Sequence, residues 1–471
     1  MIKKFRSLAK PLVIFICVTF IAGALYIGGT SFFGGGSDVY ASVATVNGRP
    51  ISLYDLQNVY LQELQYYQMM YGQLNNSMLE GIRYNAYERL VENTLIEEEI
   101  ANRKYQPSKA EVEAEVSAMK EMYGQEVLEM YGYTDAALKE IATMQLAFQK
   151  LVDEIAGEIE VSEQAIKESY EQVRASHILV RVDTDMPEAW EAAEARAEEI
   201  LSLLDGMDFA EAAKTYSDDG SAEAGGDLGF ISRGQTVQPF EDAVFSMEIG
   251  EVSGLVKSEF GYHIIKVTDK KTAEGEEFEA AKDQIRERLI EEEKAVLFSN
   301  WLTEQRNKAD IVVIDRQLAA FQHVLNEEYE DAVKAYREAI DENPANGFLW
   351  SSIGQVYIQM DEIDKAIEAY EQAVQHSAND GQLHLMLGSL YQETEQNDKA
   401  IAAYLKASEL SSGDIMTQFI VRTVLEEMGA EDAAAEVDER IAAIQEMYAQ
   451  IEAEAAEEEA SELETDEVET E

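Results

Sequence analysis

The apolar positions of this chain change their period several times, and the changes divide it. From Pro11 to Ser37 no charged residue occurs, and the densest apolar run is Leu12 to Ile27, behind a start that carries Lys3, Lys4, Arg6 and Lys10. The stretch Val-Ala-Thr-Val-Asn-Gly-Arg-Pro-Ile-Ser from Val43 predicts a strand, an Asn-Gly turn and a short return. Helical spacing of three and four follows in Leu53, Leu56, Tyr60, Leu64, Tyr67, Tyr71 and Leu74. Val59, Leu61, Tyr66, Met69 and Met70 lie off that stripe, which is more apolar surface than one face needs. Further helices are predicted over about 79–104, 108–123, 135–157 and 162–173, with Ser108 and Glu111 placed as a capping box. Two short apolar strands then appear, one in Arg-Ala-Ser-His-Ile-Leu-Val from Arg174 and one in Phe-Gly-Tyr-His-Ile-Ile-Lys-Val from Phe260. Between them Pro187 to Leu204 and Asp208 to Tyr216 have helical periodicity, and a Gly-rich loop follows. A helix from Phe278 to about Lys308 and a strand at Ile311 to Ile314 complete this part.

The segments between Arg174 and Thr268, in their order, resemble the parvulin family of peptidyl-prolyl cis/trans isomerases. The resemblance rests on the two histidine-bearing strands, on Tyr-Ser-Asp-Asp ending at Asp219, on Gly-Gly-Asp-Leu-Gly-Phe-Ile-Ser-Arg-Gly, and on Gln-Pro-Phe-Glu-Asp. It implies His177, Asp219 and His263 as the polar network of the site, and Leu228, Thr236 and Phe240 as walls of a proline pocket. Thr236 stands where many relatives carry Met, which makes that wall smaller and more polar. Phospho-directed relatives carry a basic cluster after the first strand; here Arg181 is followed by Asp183 and Asp185, so no phosphate requirement is expected. Read from the residues alone, the histidines can equally be satisfied core residues between strands, with Asp219 capping a turn. The all-helical stretch ahead of this unit resembles the N-terminal chaperone region of SurA, PpiD and PrsA type extracytoplasmic foldases. In those, a segment after the isomerase returns to complete the chaperone domain. Ile311 to Ile314 is therefore expected to pair with the strand near Val43 to Val46.

From about Val313 the chain repeats itself. Ala332, Tyr336 and Ala339 recur as Ala366, Tyr370 and Ala373 and as Ala400, Tyr404 and Ala407, each set 34 residues on, and Gly354 with Tyr357 recurs as Gly388 with Tyr391. This is the tetratricopeptide signature, with Trp350 at the head of the second repeat and a degenerate fourth pair from 415. Such arrays present a concave face to a peptide or partner protein.

The expected fold class is thus a multidomain α+β chain. It has a basic cytoplasmic segment at 1–10, a transmembrane signal-anchor at 11–33 and a helical chaperone domain at 42–173 completed by 276–314. An inserted parvulin α/β domain occupies 174–269, a C-terminal α-solenoid with a capping helix 315–450, and a disordered acidic tail 451–471. Positive charge before an apolar span keeps the N-terminus in the cytoplasm, which puts the bulk on the outer side of the cytoplasmic membrane. A cleaved signal peptide ending at Val39-Tyr40-Ala41 is the alternative.

Charge and cysteine usage narrow the function. A formal net charge of −56 argues against nucleic acid and against a domain resting on anionic lipid. The single cysteine, Cys17, excludes an intramolecular disulfide, and five scattered histidines give no ligand-spaced cluster, so no metal and no cofactor are expected. The partners implied are unfolded or nascent secreted polypeptides, held by the off-stripe residues of the first helix, and a protein docked on the repeats. The reading is a membrane-anchored foldase that isomerises X-Pro bonds. Its rival is a non-catalytic holdase or membrane scaffold built on the same domains.

Overall fold

The computed structural model describes residues 41–468 apart from Gln73 and Asp185, with side chains described to Ile451. The expected membrane segment at 11–33 lies outside the described residues. Among those described, no helix is long and apolar enough to cross a membrane.

The chain folds as two units, and the first is built from two separate stretches, up to Gln149 and from Leu302 onward. Its start is a hairpin of strands Ser42–Val46 and Arg49–Ser52. Asn47 at φ 50 and Gly48 at φ 80 supply the left-handed pair that a two-residue turn between twisted strands requires. The returning strand, Ile311–Val313, pairs antiparallel with the first, matching Ala44 to Val313, Thr45 to Val312 and Val46 to Ile311. The two stretches are therefore joined by backbone hydrogen bonds as well as by packing.

Helix Leu53–Tyr71 starts at Ser52, whose side chain accepts from the Asp55 amide, and helix Asn76–Arg103 follows. Leu56, Val59, Tyr87, Leu90 and Val91 pack with the hairpin and with Leu318. Val59 is 1% exposed, so it belongs to this core and not to the exposed set with which the apolar stripe grouped it. The guanidinium of Arg306 donates through Nε and Nη2 to Glu88 at 3.0 and 2.6 Å, a two-pronged pairing that ties the returning segment to the Asn76–Arg103 helix. Helix Lys109–Tyr123 has the capping box expected at Ser108 and Glu111.

The repeats fold as paired helices, with Tyr329–Glu342, Ile363–His376 and Asn397–Leu410 as the second member of each pair. Gly354 and Gly388 let the helices of a pair close up. A Cβ added at Gly354 would sit 2.6 Å from the Tyr370 ring, and one at Gly388 2.7 Å from the Tyr404 ring. The 34-residue repeat is thus a repeated knob against a repeated gap. The expected disordered tail takes another form. Helix Glu431–Val468 begins by burying Val437, Ile441 and Ile444 and continues past 451. Once a nucleus is packed, each further residue adds a hydrogen bond, and Ala and Glu lose little by it.

The second unit, Lys150–Trp301, is built on a four-stranded antiparallel sheet. Its order is Asp227–Ser232, Gln172–Arg181, Gly261–Lys271, Val256–Ser258. Side chains alternate across a strand with period two. Ile178, Val180, Tyr262 and Ile264 accordingly face helices Pro187–Leu203 and Phe209–Tyr216. Val173, Ala175, Ile265 and Val267 face helix Gln238–Ser246 through Phe240 and Val244. That alternation puts residues 177 and 263 on the second face. The first strand begins at Gln172 and the long return strand runs to Lys271, each beyond the span that apolar pattern alone marked.

Replacing Gly354 with Ala should destabilise the repeats by about 1–3 kcal/mol, because the added methyl meets the ring of Tyr370, a buried side chain. Denaturant unfolding of the full chain measures this, and an unchanged midpoint for the repeat transition would contradict the packing described.

Candidate functional site

Strands Gln172–Arg181 and Gly261–Lys271 pair antiparallel with His177 opposite Ile265 and Leu179 opposite His263. The two histidines are therefore diagonal neighbours on one face, near enough for long side chains to meet. Their rings stack with centroids 5.5 Å apart and planes 20° from parallel, and the two Nδ1 atoms are 3.3 Å apart. On the far side of His263, Nε2 lies 2.7 Å from the Ser258 hydroxyl, which also accepts from the Phe260 amide at 3.1 Å. On the far side of His177, Nε2 lies 3.1 Å from Oδ1 of Asp219. That approach is out of line for a full hydrogen bond, which leaves His177 Nε2 shielded and held mainly by charge.

One assignment of protons serves the whole line. The Ser258 hydroxyl donates to Nε2 of His263, Nδ1–H of His263 donates to Nδ1 of His177, and Nε2–H of His177 points toward the Asp219 carboxylate. Each ring then carries one proton, as neutral imidazoles do. In this assignment a proton on His177 Nδ1 would face the Nδ1–H of His263 across the 3.3 Å gap, whereas one on His263 Nε2 would meet the Ser258 hydroxyl. His263 is shifted toward its neutral form. Burial, and after it the neighbouring His177, push His263 down to about 4, against the opposing pull of Asp219. Asp219 has the opposite fate: burial would raise it, but the Ser221 hydroxyl at 2.5 Å and amide at 2.9 Å, together with His177, hold it well below the usual carboxylate range.

Phe240 closes the arrangement. Its ring stands edge-on to both imidazoles, at 5.6 Å from His177 and 5.4 Å from His263. Leu228 and Val237 pack into the same apolar cluster. Thr236, next to Val237, precedes the helix, and its Oγ1 is shielded from water without a hydrogen-bond partner. The turn before Thr236 is braced by buried Glu241, whose carboxylate accepts from the Gly234 amide. Of the six residues expected at the site, the structure thus brings His177, His263 and Phe240 into mutual contact, sets Asp219 against His177 and puts Leu228 in the adjoining cluster. Thr236 joins through its neighbour.

Three contributors were not anticipated. Ser258 orients His263, Ser221 orients Asp219, and Gly226 lets its strand approach His177. The Gly226 carbonyl accepts from the His177 amide at 2.9 Å, and a Cβ at Gly226 would lie 2.2 Å from the His177 carbonyl oxygen. The signal for Ser221 is legible afterwards in Asp-Gly-Ser, a side chain bonding its own backbone two residues on. Ser258, a strand residue five positions before a histidine, has no such local signature. Among the described residues no group of three or more His, Cys, Asp or Glu is placed to hold a metal ion.

Comparison with known proteins covers the same segments. Residues 161–271 match the PPIC-type PPIASE domain, residues 1–154 the SurA-like N-terminal domain, and residues 349–380 and 381–414 the tetratricopeptide repeat. The foldase protein PrsA of a Geobacillus strain is 39% identical over 41% of this chain and 66% of its own length. Foldase protein PrsA 2 of Bacillus cereus is 36% identical over 48% of this chain and 75% of its own. The crystal structure of the PrsA peptidylprolyl isomerase from Bacillus anthracis is 33% identical, covering 46% of this chain and 96% of that one, with a TM-score of 0.29. The chain thus spans about two thirds of the length of the first of these relatives, and with a parvulin-type domain set behind a SurA-like region it belongs to the PrsA foldase family.

Proposed function

We propose that this chain is an extracytoplasmic foldase, anchored in the cytoplasmic membrane by residues 11–33, that isomerises X-Pro bonds in unfolded secreted polypeptides and holds those polypeptides meanwhile. The observation that carries the reading is the Ser258, His263, His177, Asp219 line lying beside the ring of Phe240.

Rotation about an X-Pro bond passes through a twisted amide, against a barrier of roughly 18–20 kcal/mol that comes from amide resonance. The planar amide is the more polar form, because resonance separates charge between oxygen and nitrogen. An apolar wall that takes the ring out of water therefore favours the twisted form, and Leu228 and Phe240 fill this role. A thousandfold acceleration asks for about 4 kcal/mol of differential stabilisation. No covalent bond is made or broken, so the histidines need not exchange a proton with substrate. Their part is to hold the Phe240 wall and the Asp219 charge at fixed separation, so that the field acting on the amide is already in place. The shielded Thr236 hydroxyl offers a hydrogen-bond donor at the pocket edge, and it suits a carbonyl oxygen of the bound peptide.

Client holding rests on a different surface. At the end of helix Leu53–Tyr71, Leu61, Tyr66, Met69, Met70 and Tyr71 are each at least half exposed, with Met69 at 77%. Large apolar groups grouped at one helix end, with flexible thioethers among them, suit many unfolded partners. The high acidity of the chain keeps such a surface soluble. The surface and the isomerase lie in different units of the chain. Holding and isomerising are therefore separable by mutation.

His263→Ala, with the fold retained by circular dichroism, should lower kcat/KM for a proline-containing peptide at least about tenfold in a protease-coupled assay, the scale of a lost preorganised contact. An unchanged kcat/KM would remove the imidazole pair from the site and favour the non-catalytic holdase. Replacing Met69 and Met70 together with Glu should weaken suppression of aggregation of a denatured client while leaving kcat/KM on a short peptide unaltered. Equal suppression by this variant and the parent chain would move the client surface elsewhere.

A further inference from the structure

A repeat array is expected to keep a face for a partner, yet here part of the first repeats is covered by the chain itself. Within the first unit, the start of helix Asn76–Arg103 lies against helix Arg316–Leu325, helix Tyr329–Glu342 and helix Gly347–Gln359. The centre of that contact is a buried acid. Oε2 of Glu80 lies 3.0 Å from the Tyr336 hydroxyl and 3.0 Å from the Ser352 hydroxyl, and Oε1 accepts from Gln317 Nε2 at 3.2 Å. Asn76 donates to Ser351 at 3.1 Å, and Arg83 grips Asp315 with two bonds of 2.8 and 3.2 Å.

The repeats themselves show that this contact is specialised. Thirty-four residues after Ser351 and Ser352, the matching positions of the next repeat hold Leu385 and Met386. The tyrosines that match Tyr336 turn to amides within the array, Tyr370 to Gln355 and Tyr404 to Gln392. At this point along the repeat the pattern exchanges apolar groups for two hydroxyls, and there a carboxyl group meets them.

Burial favours the neutral acid, and the hydrogen bonds around it oppose burial only in part. The Ser352 hydroxyl is 3.0 Å from Glu80 and 3.1 Å from the Phe348 carbonyl, and it has one proton to give. If Glu80 is protonated, its own O–H donates to Ser352 and Ser352 donates to Phe348, while the Tyr336 hydroxyl shares the same acid oxygen. If Glu80 is ionised, Tyr336, Ser352 and Gln317 all donate to it and the Phe348 carbonyl keeps the Ser351 hydroxyl at 2.7 Å, but the charge is left where the residue is 7% exposed.

We propose that the face of the first repeats that meets Glu80 is a proton-operated latch whose occupant is the first turns of the chain's own Asn76–Arg103 helix, seated through neutral Glu80 and released when Glu80 ionises, while the later turns stay packed with the hairpin and Leu318. The charged and titratable groups facing Glu80 are few. Arg83 on its own helix is already spent on Asp315 at the start of helix Arg316–Leu325. Gln317 from that helix and Ser351 and Ser352 from helix Gly347–Gln359 do not titrate. Tyr336, from helix Tyr329–Glu342, is raised beyond its usual range by burial and by Glu80 itself. Asp315 is held low: its burial is outweighed by the hydrogen bonds and charge of Arg83.

Burial pushes Glu80 from 4.5 up to about 7, against the smaller pull of Gln317, Ser352, Tyr336 and Arg83. The sign follows from the raised value. The seated form binds the proton more tightly than the released form, so seating is fully favoured below about 4.5 and weakens as pH rises through about 7. Across that window the seating equilibrium shifts on the order of a hundredfold. A cavity of about 300 Å³ lined by Asn75, Gln355, Gln359, Tyr370, Gln382 and Met386 adjoins the seat. Release opens this cavity along the array, giving an extended polypeptide a longer groove at neutral and alkaline pH than at acid pH.

The test uses the full chain with Cys17→Ala and a single reporter thiol, Ser351→Cys, whose alkylation rate is followed from about pH 5 to about pH 8, a span that brackets the titration. A parallel series carries Glu80→Gln, which keeps the shape of the neutral acid and cannot ionise. After division by the thiolate fraction, alkylation should rise on the order of a hundredfold in the series that retains Glu80 and should stay flat in the Glu80→Gln series. The same pH course in both series, or none in either, would overturn the latch. Gln355→Cys on the cavity wall serves as a second reporter if the first disturbs the seat, with the same two outcomes.

Discussion

The register between strands Gln172–Arg181 and Gly261–Lys271 is the constraint on which the catalytic unit depends. Matching Leu179 with His263 sends both imidazoles to one face, and a slip of one residue would send one of them into the helix-covered core opposite. A close backbone approach suits the register at its Arg181 end, and a second seats the residue before strand Asp227–Ser232 against His177. Gly226 at φ 78 and Gly261 at φ 130 would each place a Cβ within about 2.2 Å of a neighbouring carbonyl oxygen, so side chains are excluded there by contact as well as by conformation. The histidine pair is thus a product of backbone geometry, and Ser258 and Asp219 then set which nitrogens carry protons.

A pair of neutral, stacked imidazoles is a stiff polar element in an otherwise apolar cluster. Unsatisfied, it would cost a few kcal/mol; with Ser258 bonded to one ring and the Asp219 carboxylate 3.1 Å from the other, it holds one geometry. The aromatic edge of Phe240 against both rings extends that order to the apolar wall. Stiffness of this kind suits a reaction whose difficulty lies in twisting a bond while nothing is transferred. The Glu80 seat in the other unit uses the same physics to a different end. There, burial keeps an acid neutral so that it can donate, and the cost of its ionisation is what makes the contact reversible.

Much of this was legible in the chain. Motifs that fall at fixed offsets, such as the two histidine strands, Tyr-Ser-Asp-Asp and the 34-residue repeat, correspond to local geometry, and they marked the sheet, the side chains that meet on it and the paired helices. The pairing of Ile311–Val313 with Ser42–Val46 was also anticipated, from the order of segments and not from either strand's composition. What pattern could not give depends on contacts distant in sequence. Val59 lies off the stripe of its own helix yet is buried, because the hairpin and Leu318 wrap a wider arc than one helical face. Glu80 reads as an ordinary surface acid of a helix until residues 237 to 272 positions later close over it. The tail read as disordered because its composition is acidic, whereas composition alone does not register the packed helix from which it continues.

The central claim is that His263 and His177 form one neutral, directionally hydrogen-bonded pair. It is tested most directly by nitrogen-15 NMR of the imidazoles across a pH series. The account predicts a His263 that carries its proton on Nδ1, keeps Nε2 as an acceptor for Ser258, and stays neutral down to about pH 4. A His263 that titrates near its ordinary value of 6.5, or that carries its proton on Nε2, would contradict it.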